Sequence, residues 1–148
     1  MKKLVTFFVL IILLGACEKD DICVETLTPK LIIRFYDVNN PTETKDVSSL
    51  TVTSEGNTLI NQQTTDSITL PLDVNNLQTS YTFTSNSLED ILTVTYGIDE
   101  IYVSRSCGFI ANYNSLSINP NTNNWVQVID IQSTTIENEN TAHVQIRH

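Results

Sequence analysis

The chain has 148 residues and a formal net charge of −9, and about a third of it is Ser, Thr or Asn. Its length suits one domain with a real core and is too short for two comfortable ones. The acidity excludes the basic footprint on which nucleic-acid binding depends, and it argues against a surface that lies flat on anionic lipid.

The chain opens with Met1-Lys2-Lys3, continues as an apolar run from Leu4 to Leu14 broken only by Thr6, and then reads Gly15-Ala16-Cys17. A spanning helix needs about 20 apolar residues, roughly twice this run, whereas signal-peptide apolar cores are about 7–15 residues long. A basic start, a short apolar core and small residues before a cysteine resemble a bacterial lipoprotein signal peptide with its lipobox. That resemblance implies loss of residues 1–16 and a mature chain that begins at Cys17, diacylated on sulfur and acylated on its new amino group. The implied partners are the lipid bilayer, entered through acylated Cys17, and the lipoprotein processing and export machinery. Each buried methylene of the acyl chains contributes about 0.8 kcal/mol, so several chains on one residue hold firmly. Removing Lys2 and Lys3 leaves 6 basic against 17 acidic residues and a mature net charge of −11. Acidity of this size keeps an exported domain soluble.

Glu18-Lys19-Asp20-Asp21 follow the cysteine. They resemble the lysine-plus-acidic export signal of Bacteroidota lipoproteins, which implies the outer face of the outer membrane. A plain solvated tether is the alternative, and it would leave the protein on the periplasmic leaflet. With Cys17 lipidated, Cys23 and Cys107 form the only possible intrachain disulfide, in a compartment where disulfides persist. Two buried free thiols are the competing reading. The pairing would leave a tether of about 20 Å between the lipid and a point fixed to the fold, at about 3.5 Å per residue. Residues 17–26 therefore read as a lipidated N-terminus with a short tether, and residues 27–148 as a single domain.

Helical periodicity is hard to find in that domain, while period-two alternation recurs. Leu31, Ile33 and Phe35 alternate with Ile32, Arg34 and Tyr36. Leu50 and Val52 alternate with threonines, and short strands are expected at Thr58–Ile60 and Ser67–Leu72, where Pro71 marks an edge or an end. Tyr81 and Phe83 make a further strand. Leu92, Val94 and Tyr96 make another, and Gly97 reads as the turn before a strand with Ile101 and Val103. Ala111–Ile118, Trp125–Ile131 and a final strand with Val144 and Ile146 complete the series. Turn signals lie between these runs, among them Glu55-Gly56-Asn57 and Ser85-Asn86-Ser87. The pattern predicts an all-β chain folded as an antiparallel, immunoglobulin-like β-sandwich, with a small barrel as runner-up. The Cys-Trp-Cys order of true immunoglobulin domains is absent, because Trp125 follows both cysteines.

Chemistry-bearing residues are sparse. His143 is expected on the polar face of the last strand, with His148 on the other face, so the two do not form a metal site. No GxSxG, HExxH or phosphate-cradling glycine loop is present. No catalytic residue, metal site or cofactor is therefore assigned. Glu89-Asp90 and Asp99-Glu100 are the acidic pairs a glycosidase would need, and they read more simply as solvated caps at strand ends. Asp37-Val38-Asn39-Asn40 recurs as Asp73-Val74-Asn75-Asn76, at strand ends where Asx turns form; neither copy has the ligand spacing of a calcium loop. Asp66-Ser67-Ile68 fits the short Asp-Ser/Thr-apolar pattern of Bacteroidota O-glycosylation, a loose pattern. Arg105-Ser106-Cys107-Gly108-Phe109 is the most distinctive interior stretch. It reads as a structural corner permitted by Gly108, or as a ligand loop with Tyr102, Arg105, Phe109 and Tyr113, although alternation puts most aromatics in the core.

Three stretches carry a wider likeness. They are Cys17-Glu18-Lys19-Asp20-Asp21-Ile22-Cys23, Thr28-Pro29-Lys30-Leu31-Ile32-Ile33-Arg34-Phe35-Tyr36-Asp37 and Tyr102-Val103-Ser104-Arg105-Ser106-Cys107-Gly108-Phe109. On these the chain resembles a family of uncharacterised Bacteroidota lipoproteins with a domain of unknown function. The resemblance implies a lipoprotein domain with no assigned activity or known site. The expectation is a non-enzymatic outer-membrane lipoprotein with a binding or structural role at the cell surface. A glycan- or peptide-binding module is the alternative, and a hydrolase comes third.

Overall fold

The computed structural model describes Cys23 and residues 28–148. The expected signal peptide, the lipidation site Cys17 and the export signal Glu18, Lys19, Asp20 and Asp21 lie outside the described residues. In chain order the strands are β1 (Leu31–Tyr36), β2 (Val47–Ser54), β3 (Asn57–Thr65), β4 (Ser67–Leu70), β5 (Gln78–Ser85), β6 (Leu88–Ser104), β7 (Gly108–Pro120), β8 (Val128–Ile131) and β9 (Val144–Arg147). They form two sheets, ordered β4-β1-β9-β8 and β3-β2-β5-β6-β7, packed face to face as a β-sandwich. All pairings are antiparallel except β1 with β9, which is parallel.

Alternation places the core where the sequence implies. Leu31, Ile33, Phe35, Ile68, Leu70, Val144 and Ile146 face inward from the small sheet. Val52, Tyr81, Phe83, Leu92, Val94 and Tyr96 meet them from the large one. Each buried side chain of this size contributes about 1.5–3 kcal/mol, against about 1 kcal/mol for a typical hydrogen bond. The two inner faces therefore dominate cohesion. Pro71 ends β4 at the sheet edge, as expected. Both tight hairpins follow their turn signals. Glu55 and Gly56 have φ of 51° and 79°, and Asn86 and Ser87 have 48° and 67°. Paired positive φ at a two-residue loop is the turn that matches strand twist.

Two expectations on strand boundaries are corrected. Gly97 is no turn: it sits inside β6, which runs unbroken for 17 residues. The glycine is there because β6 and β7 slip register between Thr95 and Gly97, and a Cβ on Gly97 would strike the Asn114 side chain. Ser115, with φ of 53°, is the extra residue on β7. The strand expected over Trp125–Ile131 contains only Val128–Ile131. Trp125 precedes it, and its indole N–H donates to the Phe83 carbonyl at 3.3 Å.

The large sheet holds the Pro71–Asp73 crossover through phenols. Tyr81 donates to Pro71 O at 2.5 Å, Tyr96 to Asp73 O at 2.9 Å and Tyr113 to Leu72 O at 3.4 Å. Burial raises all three phenols, Tyr113 to about 12, so they stay protonated donors.

Candidate functional site

Two surfaces carry features that the core does not use. The first is a groove of about 550 Å³ on the outer face of the small sheet. Its floor comes from alternation: Ile32, Arg34 and Tyr36 are the outward residues of β1, because Leu31, Ile33 and Phe35 point inward. Arg34 lies beside Ser67 of β4 and Gln145 of β9 in register. Gln132, Asn140 and Thr141 supply the wall. Two cations near this sheet already have partners: Lys45 pairs with Asp37 at 3.4 Å, and Arg147 pairs with Asp130. Arg34 makes no ion pair among the described residues. A planar donor fork on the floor of an amide-lined hollow can take a carboxylate or sulfate bidentately.

His143 builds the groove wall. It was expected on the polar face of the last strand, yet it lies just before β9 and is buried. Its Nδ1 accepts the Ile32 N–H at 3.0 Å, and its Nε2 donates to Asn138 O at 3.0 Å. Its own carbonyl accepts from Gln132 N at 2.8 Å. The ring is thus a neutral bridge between β1 and the loop that carries Asn140 and Thr141. Burial lowers its pKa, and the bond to Asn138 and the charge of Glu139 offset only part of that. His148 is elsewhere, edge-on to Phe35 and Trp125, so the two histidines share no site.

The second surface is the end of the β6–β7 hairpin. β5 leaves β6 at Thr95, and among the described residues β7 is held from outside the hairpin by the Ile136 bridge at Tyr113 and by Thr28 Oγ1, which accepts the Ala111 N–H at 3.0 Å. Beyond Ala111 the two strands pair with each other and project as an arm. Tyr102 and Phe109 face each other across it, with ring centroids 5.3 Å apart, and are 56% and 65% exposed. Ile101, on the other face of the ribbon and paired with Ile110, is 43% exposed. Arg105 lies exposed in the turn, and Gly108 closes it with φ of 70°. The disulfide expected between Cys23 and Cys107 is present, so the tip is tied to residue 23. Tyr113, expected with these residues, is only 1% exposed and belongs to the core. It lies on the same inward stripe as Ala111, under the opposing sheet, whereas Tyr102 and Phe109 lie past that sheet's end.

The acidic candidates separate into structural roles. Asp90, expected as a solvated cap, is fully buried. It accepts N–H groups from Asn124 at 2.6 Å and from Trp125 and Val126 at 2.8 Å each. Burial alone would raise this carboxyl, but those N–H groups outweigh it and hold it below the usual carboxylate range. Asp99 accepts the Asn114 side-chain amide at 2.6 Å, and Glu89 and Glu100 are exposed. Asp90 and Glu100 lie on one strand about 33 Å apart at about 3.3 Å per residue, far beyond the about 5–10 Å of a glycosidase pair. The two Asp-Val-Asn-Asn copies form Asx turns, with Asn39 N on Asp37 at 2.6 Å and Asn75 N on Asp73 at 2.8 Å. Ser67 is half-buried at the groove. Among the described residues no three His, Cys, Asp or Glu gather as a metal site.

The sequence pattern of a family of unknown function, DUF6452, matches residues 49–148. The chain belongs to this family. The matched span runs from β2 to the C-terminus and includes the β6–β7 arm, His143 and Asp90, while β1 with Arg34 precedes it. No curated protein and no solved structure matches the chain.

Proposed function

We propose that this is a non-enzymatic, lipid-anchored domain at the bacterial cell surface that binds an acidic saccharide in the groove of the small sheet. The anchor is Cys17, read from its likeness to a lipobox, and Glu18, Lys19, Asp20 and Asp21 supply the outward export signal. The observation that carries the binding assignment is Arg34. Among the described residues it is a cation without a carboxylate partner, on the floor of a hollow lined by Gln132, Asn140 and Gln145, in an otherwise acidic chain. Amide side chains suit sugar hydroxyls, because each offers both donors and an acceptor. The guanidinium suits a uronate carboxylate or a sulfate ester.

Screening the protein against neutral, uronate-bearing and sulfated oligosaccharides tests the reading. Binding should be confined to the charged set, and Arg34→Gln should weaken it by about 10- to 100-fold, the loss of a hydrogen bond to a charged group worth about 1.5–3 kcal/mol. Equal binding by Arg34→Gln would remove the groove from consideration, and turnover of a bound saccharide would make the protein an enzyme.

A further inference from the structure

We infer that the tip of the β6–β7 arm is a membrane-contact site, with Tyr102, Phe109 and Ile101 seated in the boundary between headgroups and acyl chains. The inference rests on the lipid anchor at Cys17 proposed above. It goes beyond that reading because an anchor alone leaves the orientation of the domain open.

The stripe of side chains that lines the sandwich on β6 and β7 overshoots the small sheet. Leu92, Val94 and Tyr96 are covered; further along the same alternation Ile98 is half-buried and Glu100 exposed, and Tyr102 with its partner Phe109 ends the stripe in solvent. An exposed apolar group of this kind calls for an occupant. The disulfide says which one. Cys107 at the tip is bonded to Cys23, six residues after Cys17. At about 3.5 Å per residue, with the 4.9 Å between the two cysteine Cα atoms added, the tip is held within about 25 Å of an acyl-bearing residue. No other part of the sandwich is tied so closely to the anchor.

The side chains suit that place. Tyrosine and other amphipathic aromatics concentrate at membrane–water boundaries, apolar ring inward and polar edge outward. Arg105, in the turn itself, can lay its stem along the same surface with its guanidinium among lipid phosphates. The acidic bulk of the domain opposes lying flat on an anionic bilayer. Together these features favour an end-on stance, with the arm down and the far ends of the strands away from the membrane.

Depth-dependent quenching tests this on the full chain, purified with its anchor from membranes of cells that express it. Trp125 is the single tryptophan, so Trp125→Phe gives a silent background into which Tyr102→Trp, Phe109→Trp or Leu88→Trp is placed. Leu88 is exposed at the opposite end of β6, about 45 Å from Tyr102 at about 3.3 Å per residue. In phosphatidylethanolamine–phosphatidylglycerol vesicles with brominated acyl chains, the reporters at 102 and 109 should blue-shift and lose most of their emission. The reporter at 88 should keep its emission.

Vesicle-bound protein with unquenched reporters at 102 and 109 overturns the inference and leaves the anchor standing. So does a blue shift at these positions before vesicles are added, which would mean that residues 24–27 or a second copy cover the tip. Protein whose mass shows no acyl group on Cys17 removes the anchor reading. In that case quenching at 102 and 109 would still support the contact, and its absence would overturn both.

Discussion

Asp90→Ala should be among the most damaging single changes in the domain. The carboxylate is fully buried and satisfies three backbone N–H groups at 2.6–2.8 Å, those of Asn124, Trp125 and Val126. A hydrogen bond to a charged group contributes about 1.5–3 kcal/mol. The three share one acceptor and are not additive, and Asn124 and Trp125 lie near enough to solvent to recover part of the loss from water. The expected cost is about 3–5 kcal/mol, a large share of a typical total of about 5–15 kcal/mol. For a domain of this size each kcal/mol moves Tm by about 3–5 °C, so a fall of about 10–20 °C is expected. Asp90→Asn should cost about half as much, because its one carbonyl oxygen can replace Oδ2 towards Trp125 and Val126 while its amide faces the Asn124 N–H. The carboxyl is depressed in the folded state, so its stabilisation is complete above the unfolded value of about 3.9 and is lost as pH falls through the folded value. Urea titrations at neutral and acid pH check both claims. A loss below about 1 kcal/mol for Asp90→Ala, or an acid limb unchanged in Asp90→Asn, would refute the role given to this residue.

His143 predicts a second pH dependence of opposite origin. Its folded pKa is lowered by burial, so the unfolded chain takes up a proton that the folded one refuses. Stability should decline as pH falls below about 6.5 and level off below the folded value; His143→Gln should remove this share of the slope in urea midpoints, and His148, also lowered by burial, should retain its own. Cys107→Ser opens a loop of sequence separation 84. The chain-entropy relation puts the loss at up to about 4–5 kcal/mol, measurable as the difference between variant and wild type in denaturant, with no difference once both are reduced.

The strand set was legible because one face of nearly every strand is buried. Where a strand has no buried face, the signal fades. β3 is an edge strand of mostly exposed polar residues, and only Thr58–Ile60 of its nine residues stood out. Gly97 misled for a physical reason. Its missing side chain makes room for Asn114 across a register slip, and such a glycine looks identical in sequence to one that turns the chain. The parallel pairing of β1 with β9 was also hidden, since alternation fixes which face is inward and says nothing of the neighbour.

The candidate surfaces were legible in part. Tyr102 and Phe109 carry the same alternation as the core residues before them, and only the length of the opposing sheet decides that they end in solvent. That length is a tertiary quantity, which alternation within one strand does not encode. Tyr113 obeys the same stripe and is buried because it falls short of that limit. Arg34 was read as an outward residue and nothing more, because a groove needs the loop held by His143 as its second wall. His143 itself follows the Val144–Ile146 alternation in sequence and would point outward if the strand ran straight through it. Its hydrogen bonds to Ile32 and Asn138 show instead that the chain leaves the ladder at this residue. Residues whose surroundings come from one strand were therefore readable, and those that join distant segments, Asp90 and His143 above all, were not.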